Sequence, residues 1–392
     1  MKGLNQVSRM EVAFVAVAVA VATAVLFTPY LAAQTAGQDA WVSVIIAGLL
    51  TLLPSLAAAA LMRKFPGQTI IGALPRLVGK VPGKAVGLAY AALFLFSAAL
   101  AVWRLEVFTA RFLLTETPLI VIRAMFLVCA GYAAISGTIA LIRTSAYIVP
   151  AGMVVIFLVV GLPLQRMDVS LLIPLFENGY RPALEAGLML TGWLSQIPLV
   201  ILMLQRHVSA DSARKPWSIA LWAVLLSTVA LELGAAGTLA AFGPRQAASM
   251  YYSSFELTRI ISLGNFWEHI EVIFVAVWIA GIFVAAAFYI QAFNTAVAEV
   301  LQLSGKAGKV IICGVTLLLL LIWPFFFKDL SFLILIVVIR KYGSQLATVM
   351  GGILPPLLLV LSALVPGGKG KTEAEGARAA GAAGQEDGKK AR

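Results

Sequence analysis

Long apolar segments alternate with short polar gaps along almost the whole chain. Each apolar segment has about twenty residues, the length that an α-helix needs to cross the hydrocarbon core of a bilayer. Because lipid offers no hydrogen-bond partners, segments of this length predict spanning helices rather than a barrel. They fall at residues 10–33, 40–63, 85–113, 119–140, 145–163, 183–206, 216–242, 267–297, 309–327 and 342–365. We number these predicted spans helix 1 to helix 10.

Composition supports a membrane protein and marks off one polar tail. The chain is 61% hydrophobic and 12% charged, with a mean hydropathy of +0.96, which excludes an ordinary soluble domain. Residues 1–366 form the predicted membrane domain. Residues 367–392 are polar, mixed in charge and rich in glycine and alanine, so we expect a disordered cytoplasmic tail. The lysines of the tail either contact anionic lipid or are simply solvated.

The positions of the basic residues predict the orientation in the membrane. Alternate gaps carry them: Arg63, Lys64, Arg76, Lys80 and Lys84 after helix 2, Arg206, Arg214 and Lys215 after helix 6, and Lys306 and Lys309 after helix 8. The positive-inside rule then places both termini in the cytoplasm, with Lys328, Arg340 and Lys341 as exceptions on the outer side. The net charge of +11 therefore indicates a membrane topology and no nucleic-acid partner. Helix 1 is longer than a signal-peptide core, and we expect it to be retained.

Helices 1 and 6 each contain a proline where a membrane helix would normally continue. Pro29 lies deep in helix 1, in "ATAVLFTPYL", and predicts an opening between Ala24 and Pro29 or a simple kink whose freed carbonyl meets a neighbouring hydroxyl. "TGWLSQIP" interrupts helix 6 with Gly192 and Pro198. Interruptions at matching places in two halves of five helices are typical of inverted-repeat transporters with a site at the midplane.

Two opened helices would suit a zwitterion. The N-terminal end of a half-helix in helix 1 favours a carboxylate, and free carbonyls in helix 6 favour an ammonium group. The predicted ligand-binding residues come from both breaks and from helix 3. They are Thr23, Ala24, Thr28, Pro29, Arg104, Thr191, Trp193, Ser195 and Gln196. The part of the lining suggested by Thr23, Thr28, Thr191, Trp193 and Ser195 is mostly apolar and uncharged, and predicts a small neutral amino acid as ligand.

Ionisable residues inside the spans have two interpretations each. Arg104 either faces a cavity or extends towards an interface, and Glu106, two residues further on, points elsewhere and is not expected to pair with it. Glu232 in helix 7 is either a proton or ligand group or a partner for a neighbouring helix. Glu268 and Glu271 are interpreted as caps of helix 8. The histidines, His207 and His269, and the cysteines, Cys129 and Cys313, show no metal-ligand spacing.

Catalytic motifs such as GxSxG, HExxH or a phosphate-binding loop do not occur, so neither an enzyme nor a cofactor is predicted. The segments that do stand out resemble a known family. They are "LFTPYLAAQTAGQDAW", "LLTETPLIVI", "SSFELTRI", "WEHIEVIFVAVW" and "LLIWPFFF", in this order over all ten helices. The chain resembles the spore germination permeases, the permease-like B subunits of germinant receptors, which are related to amino acid–polyamine–organocation transporters.

The resemblance implies a germinant-binding pocket between helices 1, 3, 6 and 8, a location in the spore inner membrane, and two partners: an A subunit and a lipoprotein C subunit. The family usually has glycines where this chain has Ala22 and Ala24, and an acid in helix 6 that is missing here. The predicted fold is an all-α integral membrane protein of about ten helices, a 5+5 inverted-repeat (LeuT-like) fold with helices 1 and 6 interrupted.

Three functions follow from these features. The leading one is a germinant receptor subunit that binds a small amino-acid-like ligand and signals germination. The alternatives are a secondary amino acid transporter coupled to protons or sodium, and an assembly scaffold whose pocket no longer binds.

Overall fold

The computed structural model of the chain describes residues 7–208, 215–260, 270–303, 306–323 and 344–364. Within these ranges the regular structure is helical apart from one bridge between Val7 and Val208. Helix 1 has two halves, Arg9–Ala24 and Thr28–Ala36, and helix 6 has two, Arg181–Leu194 and Gln196–Leu204. The other spans are Ala40–Lys64, Lys80–Phe112, Leu119–Ser136, Thr138–Gly161, Trp217–Ala247, Ile270–Val300, Lys306–Ile322 and, for helix 10, Ser344–Leu364.

These helices confirm the predicted fold class. Eight segments of the described chain are long and apolar enough to cross a membrane. The first half of helix 1 and the apolar part of helix 9, Cys313–Ile322, account for the remaining two predicted spans. The predicted tail, Glu268, His269 and the outer-side basic residues Lys328, Arg340 and Lys341 lie outside the described residues.

Local signals in the sequence set several helix ends. Ser8 and Glu11 form a capping box that starts helix 1, each side chain bonding the backbone N–H of the other. Gly137, with a φ of 103°, ends helix 4, and helix 5 begins at the next residue. The predicted boundary between these two helices, at 140–145, was therefore a few residues late. A short extra helix, Ile70–Leu77, follows helix 2 and is capped by Thr69.

Helices 1 and 6 lie at the centre of the bundle. The first half of helix 1 packs against helices 5, 6, 7 and 8, and helix 3 packs along helix 8. Of the most apolar stretch of helix 6, 83% is buried, compared with 22% for helix 5. The two interrupted helices are thus enclosed by protein, which is the condition under which irregular backbone is tolerated at membrane depth.

Candidate functional site

Helix 1 breaks over three residues. Its first half ends at Ala24, residues Val25 to Phe27 form a turn, and the second half begins at Thr28. Pro29 is the second residue of the new half, where a backbone N–H would have no intrahelical partner in any case. The predicted interruption between Ala24 and Pro29 is present, with Val25 and Phe27 still close to helical angles.

Neighbouring side chains hydrogen-bond the carbonyls at this break. The Ser254 hydroxyl donates to the Val25 carbonyl at 2.7 Å, and the Trp278 indole N–H donates to the Ala22 carbonyl at 2.9 Å. The Thr28 hydroxyl donates to the Ala24 carbonyl at 3.0 Å. In a regular helix the N–H of residue 29 would donate to the Val25 carbonyl, but proline has no N–H. The Ser254 hydroxyl donates to that carbonyl instead. The sequence predicted either a break or a kink whose freed carbonyl bonds a hydroxyl. The structure has both features, a break and the Ser254 hydroxyl on the freed carbonyl.

Helix 6 is interrupted at a single residue. Ser195 separates the two halves but keeps near-helical angles, with φ −62° and ψ −4°. Its N–H and its hydroxyl both donate to the Thr191 carbonyl, at 2.8 and 2.7 Å. The predicted interruption of helix 6 is therefore present, but the turn stays close to helical and the Thr191 carbonyl is bonded by Ser195 instead of being free.

Helix 10 lies directly on this interruption. A side chain at Gly351 would collide with the Ser195 carbonyl oxygen, and a Cβ at Gly192 would lie 2.5 Å from the Ser344 carbonyl oxygen. Residues Thr348–Ile353 form a π-helical turn, and the Tyr90 hydroxyl donates to the Met350 carbonyl within it at 3.0 Å. Glycines on both helices thus allow their backbones to touch, and a π-turn of this kind is frequent at functional sites.

Arg104 from helix 3 lies beside the two interrupted helices. Its side chain is 7% exposed, so it does not extend to an interface. The guanidinium carbon is 4.6 Å from the ring centre of Trp193 and 5.7 Å from that of Phe27. These aromatic faces attract a cation but do not neutralise it. Within the described chain Arg104 has no carboxylate partner.

A cavity of about 30 Å³ adjoins Arg104. It is lined by residues of helices 3, 6, 8 and 10: Leu93, Phe96, Ser97, Leu100, Arg104, Gly192, Trp193, Gln196, Tyr289, Ser344 and Ala347. Two buried oxygens of these residues, Gln196 Oε1 and the Tyr289 hydroxyl, have no hydrogen-bond partner among the described residues. A cation, an acceptor and a hydroxyl therefore surround one small space.

An aromatic cluster closes one end of this region. Phe27 lies 4.9 Å from Tyr251 and 5.6 Å from Tyr252, and Phe108 lies 4.7 Å from Trp278, all between ring centres. The cluster is completed by Tyr30, Phe112 and Phe255. Its members come from the half of the bundle that the charge pattern places on the outer side. Phe27 links this cluster to Arg104, because its ring lies 5.7 Å from the guanidinium carbon.

The structure brings only some of the predicted ligand residues to the cavity. Arg104, Trp193 and Gln196 line it. The hydroxyls of Thr23 and Thr191 donate to carbonyls of their own helices, at 2.8 Å in both cases. Ala24, Thr28 and Pro29 lie at the break of helix 1, where Phe27 provides the contact with Arg104.

The acidic residues inside the spans agree with the prediction, and several residues of the site were missed. Glu106 pairs with Arg123 of helix 4 at 2.5 Å. It does not pair with Arg104, which agrees with the prediction from their two-residue spacing. Glu232 has one buried carboxyl oxygen without a partner in the described chain. Tyr90, Tyr289 and the glycines of helix 10 were not predicted. Tyr289 falls in "FYIQAFNT", where polar residues recur within an apolar span. That recurrence could have indicated a polar face of helix 8.

Comparison with solved structures identifies the fold. The transporter MhsT, in its complex with L-phenylalanine, superposes with a TM-score of 0.63 over 92% of this chain and 89% of MhsT, at 14% identity. Mhp1, a nucleobase-cation-symport-1 family transporter in a closed conformation, gives 0.64 over 90% of this chain and 77% of Mhp1, at 15% identity. At these identities the likeness shows the fold, and the predicted LeuT-like arrangement is confirmed.

Sequence comparison identifies the family. Spore germination protein XB of Bacillus anthracis is 26% identical over 211 residues, which cover 54% of this chain and 57% of that protein. The family model described as "Spore germination protein" matches residues 6–325. This match covers both interrupted helices, Arg104 and the aromatic cluster. The chain belongs to the spore germination permease family.

Proposed function

We propose that this chain is the permease-like subunit of a germinant receptor and binds a small neutral amino acid beside Arg104. The observation that carries the proposal is a buried guanidinium with aromatic neighbours and no carboxylate partner in the described chain. A buried charge without a counter-ion costs several kcal/mol. A ligand carboxylate would provide that counter-ion, in the bidentate geometry that arginine favours.

The other groups at the cavity suit the rest of an amino acid. Gln196 Oε1 is a buried acceptor that an ammonium group would satisfy, and the Tyr289 hydroxyl could accept from it or donate to the carboxylate. Trp193 adds an apolar wall. The groups that would bind the carboxylate and the ammonium of the ligand are therefore side chains, and not the free backbone groups expected from opened helices. Thr23, Ala24, Thr28, Pro29, Thr191 and Ser195 would act by shaping the two breaks.

The size of the cavity links binding to a structural change. A space of about 30 Å³ holds a water molecule or two, far below the ~300 Å³ or more of typical ligand sites. An amino acid would have to displace helix 6 or helix 10, which touch at Ser195 and Gly351. A ligand that binds the enlarged state better shifts the population towards it. This is the property that a sensor subunit needs.

Partners and location belong to the same proposal. Family membership supports assembly with an A subunit and a lipoprotein C subunit in the spore inner membrane. The charge pattern supports cytoplasmic termini. The signal would then be the movement of helices 6 and 10 relative to the rest of the bundle, passed to the partner subunits.

The decisive test compares Arg104→Gln with Arg111→Gln. Arg111 lies two turns further along helix 3 at an exposed position, so it controls for loss of charge. Purified protein is screened with the twenty amino acids for thermal stabilisation, and the dissociation constant of each hit is measured by calorimetry. A ligand that binds only the folded state raises stability. We expect Arg104→Gln to weaken binding by a factor of about ten to a hundred, the effect of losing one charged hydrogen bond.

The stability of the ligand-free variants separates binding from folding. Removing an uncompensated charge should leave the ligand-free Arg104→Gln protein at least as stable as the wild type. Equal dissociation constants in Arg104→Gln and wild type would refute the site. Binding by neither protein for any amino acid would instead favour the scaffold.

A coupled transporter is the second candidate, and Glu232 is the observation in its favour. Its unpartnered carboxyl oxygen could carry a proton, whereas Glu106 is committed to Arg123. Uptake of labelled amino acid into proteoliposomes, abolished by Glu232→Gln, would support transport. Binding without uptake would leave the receptor function.

A further inference from the structure

Helix 8 carries a polar stripe that the site beside Arg104 does not use. Gln291, Asn294, Thr295 and Glu299 lie at positions i, i+3, i+4 and i+8 and so share one face of the helix, and Gln302 follows just beyond the helix end at Val300. The most apolar stretch of the same span has a mean hydropathy of 2.5. Polar groups at such depth face protein or a water-filled cavity, because lipid cannot satisfy them.

The stripe lines a cavity of about 630 Å³. Its other walls are the end of helix 4 and the start of helix 5, Arg206 beyond helix 6, and Cys313 in helix 9. This volume lies within the ~300–1,000 Å³ of small-molecule sites. It is also about twenty times the volume beside Arg104, and it is an open cleft, since Ile135, Leu303 and Val310 in its lining are themselves exposed.

One buried acceptor points to a ligand here. The side chain of Gln291 is 8% exposed, and its Nε2 donates to the carbonyls of Ala133 and Ala134 at 3.2 and 3.3 Å. These bonds fix the orientation of the amide. Its Oε1 is then left buried without a partner in the described chain. Such an oxygen requires an N–H or O–H donor from a solute or water.

The charges at the other end limit the kind of solute. Arg206 pairs with Glu299 at 3.4 Å, and Glu299 also accepts from the Thr69 hydroxyl. Arg206 Nε donates to His207, which leaves other guanidinium N–H groups available to an anion. Among the described residues that line the cavity, these two charges balance each other, so a solute with a net charge would lack a counter-ion there.

We propose that this cavity is a second binding site, for a small zwitterionic solute that places its ammonium group on Gln291 and its carboxylate towards Arg206. The site lies at the end of the bundle that the charge pattern predicts to be cytoplasmic. Tyr289 and Gln291 are two residues apart and point in different directions from helix 8, so the two sites are separate.

The test places a single thiol on the stripe. Cys129→Ser and Cys313→Ser remove both cysteines of the chain. Thr295→Cys then puts a thiol into the cavity, and Val297→Cys, about 200° away around the same helix, is the matched control outside the lining. The purified proteins are treated with uncharged 2-hydroxyethyl methanethiosulfonate. The thiolate forms a mixed disulfide with the hydroxyethylthio group and releases methanesulfinate, and intact mass gives the labelling rate.

Rates are measured without solute and with glycine, acetate or methylammonium at equal ionic strength. We expect Thr295→Cys to label much faster than Val297→Cys, and glycine alone to slow it. At a glycine concentration of about four times its dissociation constant, occupancy predicts labelling about five-fold slower. Adding Gln291→Leu should preserve the labelling and abolish the protection.

Two further outcomes would overturn the proposal. Equal, slow labelling of both positions would mean that the cavity is closed to water-soluble molecules, and equal protection by acetate or methylammonium would mean no selection for a zwitterion. The Arg104→Gln background distinguishes the two sites. Protection by glycine must persist there, whereas its loss would show that glycine acts through the site beside Arg104.

Discussion

Two buried arginines in neighbouring helices have opposite surroundings. Arg123 in helix 4 donates from Nε and Nη2 to the two carboxyl oxygens of Glu106, at 2.9 and 2.5 Å, and from Nη1 to the Leu321 carbonyl at 3.0 Å. Arg104 in helix 3, equally buried, has aromatic rings and no carboxylate in the described chain. The paired arginine joins helices 3, 4 and 9, whereas the unpaired one borders a cavity.

The same contrast extends to uncharged groups. At the break of helix 1, Ser254 and Trp278 donate to carbonyls of neighbouring backbone. At the cavity beside Arg104, Gln196 Oε1 and the Tyr289 hydroxyl lack partners in the described chain. Leaving a buried polar group unpaired costs about 1–3 kcal/mol. Unpaired oxygens also occur elsewhere in the described chain, for example at Ser55 and Ser227, so it is their position beside an unpaired guanidinium that indicates a ligand site.

Arg123→Met should give the largest effect among the variants that break this contrast. Removing the arginine leaves the Glu106 carboxylate buried without a partner, and we expect a loss of about 3–5 kcal/mol in the free energy of unfolding. Unfolding by SDS titration in mixed micelles measures it. The double variant with Glu106→Leu should recover most of the loss, since no charge then remains. A destabilisation of similar size in Arg104→Met would remove the distinction between the two arginines.

The contact between helices 6 and 10 tests whether the single-residue break must stay closed. Gly351→Ala places a methyl group against the Ser195 carbonyl oxygen, a backbone atom that cannot move aside cheaply. We expect a loss of about 1–3 kcal/mol, the usual cost of overpacking. Gly314→Ala, in helix 9 with open space around its Cβ position, is the control and should be neutral or stabilising. Equal thermal stability of both variants would contradict the close contact.

Ser254→Ala tests the hydroxyl that bonds the break of helix 1. The Val25 carbonyl loses its donor in a dry environment, and we expect a loss of about 1–2 kcal/mol. Ser249→Ala removes an exposed hydroxyl bonded within its own turn and should change stability by less than about 0.5 kcal/mol. Equal losses in the two variants would mean that the carbonyl at the break does not need its partner.

The fold could be predicted from the sequence because span length, hydropathy and proline position are local signals. Pro29 and Pro198 each lie in the first turn of a second half-helix, which is where proline is tolerated. Arg104 could be selected because a charged side chain inside an apolar span is costly and usually faces a cavity or a partner. The three residues Arg104, Trp193 and Gln196 were therefore within reach of sequence reasoning.

The partners of the helix 1 break could not be predicted because they are distant in sequence. Trp278 bonds a carbonyl 256 residues away, and Ser254 one 229 residues away. Alanine at position 22 is accommodated because Gly281 of helix 8 faces it: a Cβ there would lie 2.8 Å from the Ala22 methyl group. The glycine expected at position 22 of helix 1 is thus replaced by a glycine in helix 8, Gly281, on the other side of the same helix contact. A single sequence does not show which residues face each other.

Tyr289→Phe should have the smallest effect on stability of the variants considered. Removing a hydroxyl that has no partner takes away no hydrogen bond, so the free energy of unfolding should change by less than about 0.5 kcal/mol or rise slightly. Tyr90→Phe is the matched control, because the Tyr90 hydroxyl bonds Met350 and its loss should cost about 1 kcal/mol. Binding should show the reverse order: Tyr289→Phe weakens the affinity for the amino acid while Tyr90→Phe leaves contacts with it intact. If Tyr289→Phe destabilised the protein more than Tyr90→Phe and bound the ligand as well as wild type, the hydroxyl would be structural and unpaired groups would no longer mark the site.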